Sequence, residues 1–181
     1  CVSDVIQEYE YQMSNMIVCP EPLAAQAGQD VFAAGGNAID AAVAAAFVQG
    51  VTNPLLCGIG GTGLFYYYDH SQRQTFAMNG EVSIGSRPVP THWRDEFEGR
   101  AETIGRYIIR SEANQVGHQS VMTPGFVRVC SDAWKRFGSG NLSWSELLQP
   151  AIRLALNGFD VYPYIAAFWR PGVASDAHDS R

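Results

Sequence analysis

Long runs of one kind are what this sequence does without. No stretch is rich in lysine or arginine, so the electrostatic footprint of a nucleic-acid binder is missing. The net charge of −6 and pI of about 5.1 also disfavour partners that positive charge must attract. No apolar run reaches the roughly 20 residues of a membrane span; the best candidate, Ala38 to Val48, is about half that length and contains Asp40. An initiator Met and a signal peptide are missing too, which reads as a processed or trimmed chain. Cys1, Cys19, Cys57 and Cys130 form no CxxC or other metal spacing and read as buried thiols, with the redox compartment left open. His70, His92, His118 and His178 are scattered without ligand spacing, so neither a metal nor a cofactor is expected. Internal repeats and low-complexity segments do not occur.

What is there is globular. The 181 residues are 46% apolar and 17% charged, enough for one domain with a substantial core. Residues 1–15 are polar and irregular, a loose lead-in. "PEPLAAQAGQDVFAAGG" then has helical spacing at Leu23, Ala27, Val31 and Ala34, with Pro22 in the first turn and Gly35-Gly36 as the stop. Asn37 reads as the N-cap of a second helix, with Asp40 three residues on to serve its free N–H groups. From Ala38 to Val48 that helix is apolar all round and mostly alanine, the pattern of a helix buried on every side. Leu64 to Tyr68 and Gln74 to Asn79 read as a β-hairpin, with Tyr66 to Tyr68 alternating between core and surface.

Residues 80–123 lack a sustained period and leave helix and strand open. Order returns at "TPGFVRVCSDAWKRFG", where Thr123 can cap, Pro124 suits the first helical position and Gly138 stops the helix. "SWSELLQPAIRLALNGF" opens with a capping box, Ser143 and Glu146, and Pro150 is expected to kink or split it. The tail from Pro163 to Arg181 shows no clear period.

Between the alanine helix and the aromatic strand stands Gly58-Ile-Gly60-Gly61-Thr-Gly63. A phosphate-binding glycine loop needs a strand before it and a helix after it, so that the phosphate meets the helix N-terminus. Here the order is reversed and no Gly-Lys-Ser/Thr follows, which excludes nucleotide binding. Glycines between a buried helix and a strand let backbone approach backbone and supply exposed N–H groups in unusual conformations; tight packing at a sheet edge is the plainer reading.

The segment "GGNAIDAAVAAAFVQGVTNPLLCGIGGTGLFYYYD" resembles the opening of the large subunit of γ-glutamyltranspeptidases, with their GGNAxDAAVA helix and glycine-rich strand entry. "MIVCPEPLAAQAGQDVFAAGG" upstream is similar to the family's first helix. "TPGFVRVCSDAWKRFGSGNLSWSELLQPAIRLALNGFDV" downstream is similar to its PGxV and PAIxLA helices. The similarity runs from about Asn15 to about Val161, so residues 16–181 would form the N-terminal part of such a large subunit. The resemblance implies an α/β, layered fold: part of a four-layer αββα sandwich completed by another chain or fragment. It implies an N-terminal-nucleophile hydrolase, in which a precursor cuts itself and the new N-terminal Thr of the small subunit attacks an amide. Relatives are often periplasmic, secreted or membrane-anchored, which points to an extracytoplasmic site.

That nucleophile is not in this chain. Thr52, Thr62, Thr75, Thr91, Thr103 and Thr123 are internal and have no free α-amine. Cys1 precedes a polar stretch on the wrong subunit and is not expected to attack. The implied partner is the small subunit or C-terminal fragment carrying the Thr, and the implied substrate a small-molecule amide. Within the large subunit the family's notable group is an Arg in an R-E-x-A-P stretch that pairs with the substrate's α-carboxylate. Aligning Glu81 with the family's Glu puts Gly80 where that Arg should be, and Ser83-Ile84 replaces Ala-Pro. The substrate-binding candidates are therefore Gly80, Glu81 and Arg87; Arg94 is the other nearby cation, which reads either as reaching the substrate or as a surface partner of Asp95 or Glu98. Altered acyl specificity follows from the missing Arg. The alternative is a catalytically inactive family member kept as a structural or binding module.

Overall fold

The computed structural model describes residues 15–100, 107–167 and 169. The expected lead-in, Cys1, Thr103 and most of the tail lie outside the described residues. Of those described, the residues up to Ile59 and from Cys130 on form one unit, and Gly60–Val129 forms a second.

The first unit is helical: α1 (Pro22–Ala33), α2 (Ala38–Thr52), the greater part of α3 (Phe126–Phe137) and α4 (Trp144–Asn157), with residues 163–167 also helical. Asn37 caps α2 as expected. Its Oδ1 accepts from the backbone N–H of Ile39 and Asp40, and Asp40 Oδ2 accepts from the N–H of Asn37 at 3.0 Å, a reciprocal box. The same carboxylate reaches past its helix. Asp40 is fully buried, and its Oδ2 also accepts from the backbone N–H of Ser139 at 3.1 Å, while Asn37 Nδ2 donates to the carbonyl of Phe137 at 2.7 Å. One box thus closes the start of α2 and the end of α3.

The alanines of α2 let its neighbours come close. Ala41, Val43, Ala44, Ala45, Phe47 and Val48 are buried, and Phe47 meets Trp144 of α4 edge-on at 5.5 Å. The helix is not covered everywhere: Ala42 is exposed and lies in a depression of about 340 Å³ with Ala38, Ala41, Ala45 and Ala46. Pro150 does not split α4, which runs unbroken from Trp144 to Asn157. The carbonyl that loses its partner belongs to exposed Glu146, where water can take it. The capping box of Ser143 and Glu146 is present, and the Ser143 hydroxyl holds the Glu146 carboxyl below its usual range.

At the far end of this unit Glu21, fully buried, accepts from Asn53 Nδ2 at 3.0 Å and from the phenol of Tyr164. That hydrogen bond pushes the Tyr164 phenol up to about 12. Of the cysteines, Cys130 is buried, which pushes its thiol up to about 11, whereas Cys19 and Cys57 are only half-buried; all three are free thiols.

The second unit consists of two antiparallel hairpins, β1 (Gly63–Asp69) with β2 (Gln74–Gly80) and β3 (Phe97–Arg100) with β4 (Tyr107–Ile109), followed by the first turn of α3. In the first hairpin Gly63 pairs with Gly80 and Asp69 with Gln74. Tyr67 is half-buried between exposed Tyr66 and Tyr68, as the period of two requires. The second hairpin resolves the ambiguous region: Phe97 pairs with Ile109, a bulge falls between Phe97 and Gly99, and short helical turns flank it at Arg94–Glu96 and Arg110–Glu112. Glu98 lies 3.6 Å from Arg110, so its ion-pair partner is not the expected Arg94. Thr123 does not cap α3. Its backbone exchanges two hydrogen bonds with Ser83, at 3.0 and 2.8 Å, and this bridge holds it extended while the helix starts at Phe126.

Candidate functional site

The glycines of the first hairpin and of the entry to α3 meet at one point. The Gly61 carbonyl accepts from the backbone N–H groups of Gly125 and Phe126, both at 3.2 Å. A Cβ on Gly125 would stand 2.1 Å from the carbonyl oxygen of Gly80 and 2.8 Å from that of Glu81. A Cβ on Gly80 would stand 2.6 Å from Val129 Cβ and 2.8 Å from the Gly63 carbonyl oxygen. Backbone therefore lies on backbone here, and only glycine fits. Gly61 and Gly63, with Gly80, thus seat the N-terminus of α3 on the hairpin's open end, whereas nothing lies within 4 Å of a Cβ at Gly58 or Gly60, so these two do not serve the close approach expected of the cluster.

The three candidate substrate residues do not share one surface. Gly80 is buried at the end of β2, and the Thr62 hydroxyl donates to its carbonyl at 3.3 Å. Glu81 follows it, exposed, with its backbone N–H donated to Asn79 Oδ1 at 2.8 Å. Arg87 lies apart from both on the loop between β2 and β3. It lines a depression of about 400 Å³ with His92, Trp93, Asn114 and His118. A second depression of about 490 Å³ contains Arg94 and Tyr107 and shares Ile84, His92, Trp93 and Asn114 with the first. His92 and His118, weighed from the sequence only as metal ligands, and Asn114, which carries no motif, are too far apart along the chain to show that they line one depression.

Two threonine hydroxyls serve the fold. Thr62 Oγ1 donates to Gly80 as above, and Thr52 Oγ1 donates to the Val48 carbonyl at 3.2 Å. Among the described residues there is no group of three or more His, Cys, Asp or Glu that could hold a metal ion. No helix among them is long and apolar enough to cross a membrane.

Comparison with known proteins agrees with this geometry. Residues 24–177 match the gamma-glutamyltranspeptidase family. The chain is 37% identical over 165 residues to the Acylase ACY 1 proenzyme of Pseudomonas sp. (strain V22), covering 91% of this chain and 28% of that protein. It is 30% identical over 163 residues to the glutathione hydrolase proenzyme of Bacillus subtilis (strain 168), covering 90% of this chain and 26% of that one. Among solved structures, the gamma-glutamyltranspeptidase from Pseudomonas nitroreducens complexed with L-DON superposes with a TM-score of 0.75 at 28% identity, over 92% of this chain and 46% of that one. The chain thus spans between a quarter and a half of the length of these three relatives. The helix–glycine–hairpin order, the α3 seat and the matched span together make this chain, with its mixed helix-and-sheet fold, a member of the gamma-glutamyltranspeptidase family.

Proposed function

We propose that this chain is the N-terminal part of the large subunit of an amide hydrolase or acyltransferase. A Thr on a partner chain or fragment attacks the amide carbonyl, its own α-amine takes the proton, and the amine leaves. The acyl-Thr ester is then resolved by water or by a second amine. That partner also completes the sandwich, which gives the exposed faces of Leu64, Tyr66 and Tyr68 on β1 something to cover them.

We also infer that the acyl group differs from γ-glutamyl. The observation carrying this is the packing at Gly80: the position aligned with the family's carboxylate-binding Arg has no room for any side chain. The 37% identity to a protein named an acylase, against 30% to one named a glutathione hydrolase, leans the same way. Arg87, exposed in its depression, and Glu81 beside Gly80 are the chain's own substrate-side groups under this reading.

The test is a paired assay of the full-length protein on γ-glutamyl and 4-aminobutyryl anilides, which differ by the α-carboxylate alone. A charged hydrogen bond contributes about 1.5–3 kcal/mol, so its loss shifts the ratio of kcat/KM by about 10- to 150-fold towards the 4-aminobutyryl compound. Strong preference for the γ-glutamyl anilide would overturn the specificity claim. Turnover of neither would favour the inactive, structural role.

A further inference from the structure

In a chain with 18 acidic and 12 basic residues, the two adjoining depressions of the Gly60–Val129 unit are lined by Arg87, Arg94, His92 and His118 and by no Asp or Glu among the described residues. The described acids of the surrounding segment, Glu81, Asp95, Glu96, Glu98 and Glu112, line neither, and Glu98 stands against Arg110 at 3.6 Å. Within these depressions Arg87 and Arg94 thus face no carboxylate of the described residues. Around them the walls are apolar: Ile84, Val121 and Met122 are 65%, 76% and 44% exposed, and the Trp93 ring stands edge-on to His92 at 4.5 Å. Asn114, common to both depressions, donates from Nδ2 to the Tyr107 carbonyl at 3.3 Å. Its Oδ1 is buried without a hydrogen-bond partner among the described residues, an unmet acceptor of the kind that a ligand donor satisfies.

Cations, apolar walls and one free acceptor specify a ligand. We propose that this cleft binds an amphipathic organic carboxylate bearing an adjacent N–H, in the manner of an N-acyl amino acid. The carboxylate meets Arg87 and His118, the apolar body lies against Ile84 and Trp93, and the N–H is donated to Asn114 Oδ1. This rests on the proposed function only in taking Arg87 as a substrate-side cation, and binding is measured without turnover.

The probe is hippurate (N-benzoylglycine), titrated calorimetrically into the full-length protein at low salt. Hippurate should bind saturably, and its methyl ester, which lacks the charge, at least about tenfold more weakly. Benzoyloxyacetate, with oxygen in place of the N–H, should lose severalfold because two acceptors then face each other. R87A/H118A should weaken hippurate about tenfold, while R153A on α4 leaves it unchanged. Equal binding of hippurate and its ester would overturn the proposal, as would an unchanged Kd in a natively melting R87A/H118A. Should that variant fail to fold, the ester comparison and a fall in affinity with added salt decide the matter on the wild type. Hippurate binding without turnover of either anilide would keep the cleft and remove the acyl-transfer reading; turnover without hippurate binding would do the reverse.

Discussion

Replacing Gly125 by Ala adds one methyl group at the seat of α3. That carbon would lie 2.1 Å from the Gly80 oxygen, 2.5 Å from the Gly80 carbonyl carbon and 2.8 Å from the Glu81 oxygen. All three are backbone atoms, so no side chain can swing away. The helix must lift from the hairpin, which also lengthens the 3.2 Å bonds from Gly125 and Phe126 to the Gly61 carbonyl. Overpacking of this sort costs about 1–3 kcal/mol, and each lost hydrogen bond about 1 kcal/mol more. We expect Gly125→Ala to lose about 2–4 kcal/mol. Gly60→Ala is the control. Nothing lies within 4 Å of a Cβ there and its φ is outside the left-handed region, so alanine is expected to be neutral or to stabilise by about 0.4–1 kcal/mol through the unfolded chain. The assay is urea or thermal unfolding of both variants in the full-length protein. Equal melts for the two, or a stabilised Gly125→Ala, would refute the idea that these glycines serve close packing.

Two further outcomes follow from the helical unit. Asp40→Ala removes the box that closes α2 and holds Ser139, and is expected to cost about 2–4 kcal/mol in an unfolding titration. Folded Tyr164 keeps its proton up to about pH 12, against 10.0 for a free tyrosine, so its contribution is complete below pH 10, falls as pH rises and is gone above 12. The Tyr164→Phe variant should show a flatter loss of stability across that window than the wild type. The Cys130 thiol, raised from 9.0 to about 11, declines in both proteins alike and cancels in the comparison.

The parts of the fold legible in the sequence were those governed by local chemistry. Asn37 with Asp40 and Ser143 with Glu146 announced two capping boxes, and the alternation through Tyr66–Tyr68 announced a strand half-covered on one face. What stayed hidden depends on distant partners. The start of α3 was misplaced because Thr123 spends its backbone on Ser83, forty residues upstream in an unpatterned loop. The β3–β4 hairpin gave no signal because its strands are only four and three residues long and interrupted by a bulge. Gly80 looked like a vacancy left by a lost Arg; the structure adds that Val129 and Gly63 occupy the space where a side chain would start. The cleft of Arg87, His92, Asn114 and His118 was illegible for the same reason, since only the loop's folding draws those residues together.

The central claim is an acyl-enzyme on a Thr outside this chain, and mass spectrometry of the full-length protein tests it directly. Incubated briefly with a 4-aminobutyryl anilide and quenched in acid, the protein should resolve into two fragments. The one that lacks this sequence should begin with Thr and carry the added mass of one 4-aminobutyryl group. An uncut chain, or an adduct on the fragment containing residues 1–181, would contradict the account.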